Sequence, residues 1–103
     1  MSDWKKLCKL DDIPRLGSRV VASAHGDIAI FRTADDVVFA VHDKCPHKGG
    51  PLSQGIVSGT VVTCPLHGLK IDLASGEALA PDVGCSRKFA VRNDDGMLWI
   101  ALA

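Results

Sequence analysis

The chain has 103 residues, one domain's worth, and its twelve basic residues balance twelve acidic ones. A formal net charge of zero gives no bulk attraction to nucleic acid or to an anionic membrane, so neither is expected as a partner. Apolar residues at 47% and charged residues at 23% exclude a disordered chain.

Short runs rich in Val, Ile, Phe and Trp predict strands over Trp4–Lys9, Ser18–Ala22, Asp27–Thr33, Val37–His42, Gly55–Val57, Thr60–Thr63, Lys70–Asp72, Ser86–Asn93 and Met97–Leu102. Glycine-containing turns separate them, and Asn93-Asp94-Asp95-Gly96 predicts a hairpin joining the last two. Asp11–Pro14 and Pro51–Gln54 each suit one helical turn, and no stretch sustains a longer helical period. The expected fold is an all-β antiparallel sandwich or barrel, a single domain over 1–103. The longest apolar runs, such as Val37–Val41, are strand-sized and too short to cross a bilayer. The first residues, Met1 to Cys8, show no signal-peptide core or cleavage site. A cytoplasmic location is expected, where cysteines bind metal more often than they pair as disulfides.

Two segments carry the chemistry: Cys45-Pro46-His47-Lys48-Gly49-Gly50-Pro51-Leu52 and Cys64-Pro65-Leu66-His67-Gly68. Each offers one thiol and one imidazole at a predicted strand end, in loops over about 43–52 and 62–70 that proline stiffens and glycine opens. Two such loops face to face make a site of two sulfurs and two nitrogens, with Cys45, His47, Cys64 and His67 as ligands. That donor set suits a [2Fe–2S] cluster with thiolates on one iron and imidazoles on the other. It also permits a structural zinc ion. Zinc fingers, however, pair C-x-x-C with a helix carrying H-x-x-x-H, and no helix is predicted here. A metal centre tying two loops together would also stabilise a chain whose core is small.

The C-x-H … C-x-x-H-G pattern resembles the Rieske family over nearly the whole chain. The resemblance implies one [2Fe–2S] cluster per chain and a β-sandwich base with a two-loop cluster lobe. It places His47 and His67 at a tip where a partner docks, with Ala80-Pro81-Asp82 as the covering loop. Within the family, Cys45 through Gly55, Gly76-Glu77-Ala78-Leu79, Gly84-Cys85-Ser86-Arg87 and Phe89-Ala90-Val91-Arg92 are similar to the small subunit of assimilatory NAD(P)H nitrite reductase. This implies an electron-transfer role in nitrate assimilation, beside a large subunit that reduces nitrite to ammonia. The alternative is a stand-alone Rieske ferredoxin between a flavoprotein reductase and a ring-hydroxylating oxygenase. Respiratory Rieske proteins carry an extra loop disulfide and two hydroxyl donors to the cluster. This chain has Gly50 and Leu66 at the disulfide places, and Leu69 and Ile71 at the donor places. Fewer donors imply a low potential.

Other residues read as structural. Cys8 suits a small core position, and Cys85 a half-exposed turn. His42 suits local hydrogen bonding at a strand end, and His25 a surface turn. Trp4 and Trp99 are expected in the core. Asp35-Asp36 and Asp94-Asp95 look like turn chemistry rather than a catalytic dyad. Lys44, Lys48 and Lys70 flank the ligand loops and suit either a docking patch or plain solvated charge. No nucleophile triad or nucleotide-binding glycine loop is present, so the isolated chain is expected to carry electrons without a catalytic site of its own.

Overall fold

The computed structural model describes residues 4–23, 26–44, 51–64, 68–79 and 84–101. Among them nine strands form: β1 Trp4–Lys9, β2 Ser18–Ser23, β3 Gly26–Arg32, β4 Val38–His42, β5 Ile56–Ser58, β6 Val61–Thr63, β7 Lys70–Asp72, β8 Lys88–Asp94 and β9 Met97–Ala101. Two 3-10 turns, Leu10–Asp12 and Leu52–Gln54, occupy the two places where helical turns were expected. The fold is all-β, as the sequence predicts. Strand β8 starts two residues later than expected because Ser86 is engaged elsewhere, its N–H on Gly76 O at 2.7 Å and its hydroxyl on His42 O at 2.9 Å.

Six strands form one antiparallel sheet in the order β1-β9-β8-β4-β3-β2, and β5-β6-β7 form a second, smaller antiparallel sheet. Asp95 at φ 54° and Gly96 at φ 87° give the β8–β9 turn its double left-handed backbone, the pair a tight hairpin requires. The Asn93 side chain accepts the Gly96 N–H at 2.8 Å.

Alternation along β3 and β4 divides the interior in two. Ile28, Ile30 and Ala40 point into the large sheet's core with Cys8, Ile13, Phe89, Leu98 and Ile100. Ala29, Phe31 and Val41 point the other way, into a second core with Leu52, Val57, Val62, Cys64, Leu69, Ile71 and Leu73. One pair of strands therefore serves as a wall between the sheet's interior and the lobe built by β5, β6 and β7. The small sheet gives its inner row, Val57, Val62 and Ile71, to that second core.

The tryptophans depart from the core expectation. Leu98 and Ile100 face inward on β9, so Trp99 between them faces outward and is only half-buried. Trp4 is 36% exposed, with the Arg92 guanidinium 5.0 Å above its ring. Cys8 is buried as expected, because the β1–β9 register shifts between Lys6 and Lys9 and lets both Leu7 and Cys8 reach the core. Burial pushes its thiol pKa up, so it stays protonated and unreactive. No disulfide joins it to Cys85.

Arg32 is buried at the end of β3, and its guanidinium donates to Ile13 O at 2.8 Å and Leu10 O at 3.2 Å. It also meets the Asp36 carboxylate at 2.8 Å, and Arg15 meets the same carboxylate at 3.0 Å. The hydrogen bonds from Arg15, then from Arg32, hold the Asp36 pKa below the usual carboxylate range. A carboxylate whose pKa is depressed by folding stabilises the fold above its unfolded pKa of about 4 and loses that contribution as pH falls through the folded value. Asp36→Asn tolerates the left-handed φ of 64° there. Thermal melts should show it below wild type at pH 7, with the gap closing toward pH 2; a gap unchanged by acid would show that the ion pairs contribute nothing.

Candidate metal centre

Of the four candidate ligands, Cys64 lies among the described residues, while Cys45, His47 and His67 lie outside them, as do His25, Lys48, Gly50, Leu66 and Ala80-Pro81-Asp82. Cys64 follows β6 directly and is 1% exposed, packed in the second core. Its N–H donates to Leu69 O at 2.7 Å, and its carbonyl accepts the Gly68 N–H at 3.0 Å. These two bonds tie Cys64 to Gly68 and Leu69. Gly68 sits at φ 69°, a conformation glycine adopts without strain. No described atom comes within 4 Å of where its Cβ would stand.

The first ligand segment is defined by its two ends. Asp43 follows β4 and its N–H donates to Asp27 O at 2.8 Å. Its carboxylate accepts the Ser53 N–H at 2.7 Å and the Ser53 hydroxyl at 2.9 Å. Ser53 O in turn accepts the Ser18 hydroxyl at 2.8 Å, which fixes this end to β2. The Ser86 hydroxyl lies within reach of His42 O at 2.9 Å and Lys44 O at 3.3 Å. Both flanks of the 45–50 segment are thus bonded to one carboxylate and to the sheets. The His42 N–H donates across to Arg87 O at 2.7 Å, and its ring lies so close to Gly26 that a Cβ there would be 2.8 Å from Nε2.

The donor chemistry fits an iron–sulfur group. Cys64 follows a strand and is tied through its backbone to Gly68 and Leu69, which suits a fixed ligand position for metal. Leu69 and Ile71 are both buried in the same core, and their aliphatic side chains supply no polar donor near Cys64. Among the described residues, no three His, Cys, Asp or Glu side chains gather into a metal site. Cys85 is exposed rather than half-exposed, bridged through its backbone to Glu77.

The residues that sequence reasoning missed are Asp43, Ser53 and Ser86. Their signal is faint: an acid two residues before a Cys-x-His segment and a serine just after it.

Residues 3–101 match the Rieske-like [2Fe-2S] domain. The chain is 32% identical over 99 residues to the anthranilate 1,2-dioxygenase ferredoxin subunit of Burkholderia cepacia, covering 95% of this chain and 91% of that protein. It is 36% identical over 85 residues to 4beta-methylsterol monooxygenase of Methylococcus capsulatus, covering 72% of this chain but only 23% of that much longer protein. A crystal structure of a protein described as an NADPH nitrite reductase small subunit superposes with a TM-score of 0.86 at 30% identity, covering 98% of this chain and 99% of that one.

The carboxylate clamp yields a test. Asp43→Ala removes two charge-assisted hydrogen bonds, so urea unfolding should show a loss of about 2 kcal/mol. Iron release to a chelator should accelerate. Asp43→Asn keeps one acceptor for the Ser53 N–H and should recover part of both. Wild-type rates of iron release in Asp43→Ala would show that the clamp does not steady the loop.

Proposed function

Because this chain belongs to the Rieske-like [2Fe–2S] domain family, we propose that Cys45, His47, Cys64 and His67 hold its cluster, with the thiolates on one iron and the imidazoles on the other. The chain is an electron-transfer domain, and Cys64, buried at the end of β6 and bonded through its backbone to Gly68 and Leu69, is the observation that supports the ligand assignment. When bound, the cluster supplies a one-electron carrier. The protein's own part is to bind it, to shield the thiolate side in the second core, and to hold the loop flanks still through Asp43, Ser53 and Ser86. Still flanks keep ligand geometry similar in both oxidation states, which limits the rearrangement each transfer requires. Buried Leu69 and Ile71 offer no hydroxyl to the ligand sulfur, which supports a potential in the lower part of the roughly −150 to +300 mV span of Rieske centres.

The partner reading follows the nitrite reductase small subunit, supported by the full-length structural likeness and the motif resemblance over Cys45–Gly55. In that role the chain would act in nitrate assimilation in the cytoplasm, relaying electrons beside a large subunit. A second reading, a ferredoxin serving a ring-hydroxylating oxygenase, is supported by the near full-length likeness to a dioxygenase ferredoxin subunit. Co-purification with a siroheme protein favours the first, and reconstituted oxygenase turnover the second. No helix among the described residues is long and apolar enough to cross a membrane.

The cluster assignment is tested on anaerobically purified protein. It should be reddish-brown, bleach with dithionite, and contain two irons and two acid-labile sulfides for each chain. Cys64→Ser should lose most of the colour. A colourless wild type that contains zinc would overturn the assignment.

A further inference from the structure

The turn that follows the first ligand segment and the strand that leads into Cys64 meet at one glycine. Gly55 closes the 3-10 turn Leu52–Gln54 at φ −79° and ψ 174°, extended backbone that any residue adopts. Its dihedral angles therefore do not require glycine, but its surroundings do. A Cβ at Gly55 would overlap the carbonyl oxygen of Thr63, and would stand 2.9 Å from Val62 Cγ2 and 3.0 Å from Leu52 O. The two oxygens belong to the backbone, which cannot swing aside as the end of a long side chain does. Thr63 ends β6 and directly precedes Cys64.

Both sides of this contact are anchored. In the turn, the Ser53 N–H and hydroxyl donate to the Asp43 carboxylate, and Ser53 O accepts the Ser18 hydroxyl. The Gly55 N–H donates to Leu52 O at 2.8 Å. Leu52 and Val62 are fully buried in the core that includes Cys64. On the other side, β6 is paired along both edges, Thr63 standing opposite Ile56 and Lys70, and the Cys64 N–H is bonded to Leu69 O. A side chain at position 55 would thus force apart two held elements. One continues from the segment with Cys45 and His47, and the other runs directly into Cys64.

We propose that Gly55 is a positioning residue for the cluster: its missing side chain lets the root of the first ligand segment seat against the root of the second, and so sets the spacing between the Cys45–His47 pair and the Cys64–His67 pair. The inference rests on the ligand assignment above and adds the contact that fixes the two segments relative to each other. A cluster that bridges two segments keeps its geometry only while their roots keep their distance, so a displacement at Thr63 is passed on to the ligands.

Gly55→Ala and Gly59→Ala, compared in anaerobically purified holo-protein, separate positioning from stability. Gly59 sits at φ 59° in the β5–β6 turn, at the other end of the same hairpin, with no described atom within 4 Å of where a Cβ would stand. Alanine there destabilises the hairpin through backbone strain and presses on nothing. Both variants should melt below wild type. Gly55→Ala should also release iron to a chelator roughly tenfold faster, shift the midpoint potential and change the g-values of the reduced cluster. Gly59→Ala should keep the wild-type potential and g-values. Gly55→Ala combined with Val62→Ala relieves the side-chain clash but leaves the one with the Thr63 carbonyl, so the altered potential and g-values should persist. Wild-type g-values, potential and release rate in Gly55→Ala would overturn the proposal and leave the ligand assignment intact. A double variant that regains the wild-type cluster would also overturn it, as would equal spectral changes in Gly59→Ala, which would trace them to lost stability. Failure of both Gly55 variants to fold would make the glycine a requirement of the whole fold and overturn its specific role. A wild-type protein that binds no cluster would instead overturn the assignment on which the proposal rests.

Discussion

Strands β3 and β4 are buried on both faces, and the candidate metal centre depends on that arrangement. One face closes the interior of the six-stranded sheet through Ile28, Ile30 and Ala40. The other carries Ala29, Phe31 and Val41 against the small sheet and Cys64. Each large side chain buried on this wall contributes about 1.5–3 kcal/mol. The lobe therefore has no independent foundation: its core is the back of the main sheet. A small domain gains from such sharing, because one wall supplies apolar partners twice.

The wall also sets where the ligand segments begin. Strand β4 ends at His42, and the next residue, Asp43, reaches across to Ser53. Strand β6 ends at Thr63, and the next residue is Cys64. The candidate ligands thus start within three residues of regular structure, Cys45 after β4 and Cys64 after β6, where a packed core limits motion. Asp43 and Asp72 are bonded within clamp and turn, while Lys44, Lys70 and Glu77 are exposed.

Much of this was legible in the sequence. Valine-, isoleucine- and phenylalanine-rich runs between glycine turns located all nine strands to within about two residues, because half-buried strands need that composition. The run Ile28-Ala29-Ile30-Phe31 lacks polar alternation, which is the mark of a strand covered on both sides. The Cys-x-His and Cys-x-x-His spacings pointed to the metal chemistry, since few functions need one thiol and one imidazole in each of two loops. Other features were not legible. Trp4 and Trp99 looked like core residues, but strand parity turns both outward, and parity depends on a register that composition does not reveal. The Asp43–Ser53 clamp and the Arg32–Asp36–Arg15 network join residues through folded geometry, so no local pattern announces them.

The central claim is a cluster held by two thiolates and two imidazoles, and pulsed electron paramagnetic resonance of the dithionite-reduced protein tests it most directly. With histidine labelled by nitrogen-15, the account predicts strong couplings from two directly bound imidazole nitrogens that change isotope with the label. A paramagnetic cluster without such couplings would mean all-thiolate ligation, and a protein with no paramagnetic signal and bound zinc would mean a structural site; either result would contradict the account.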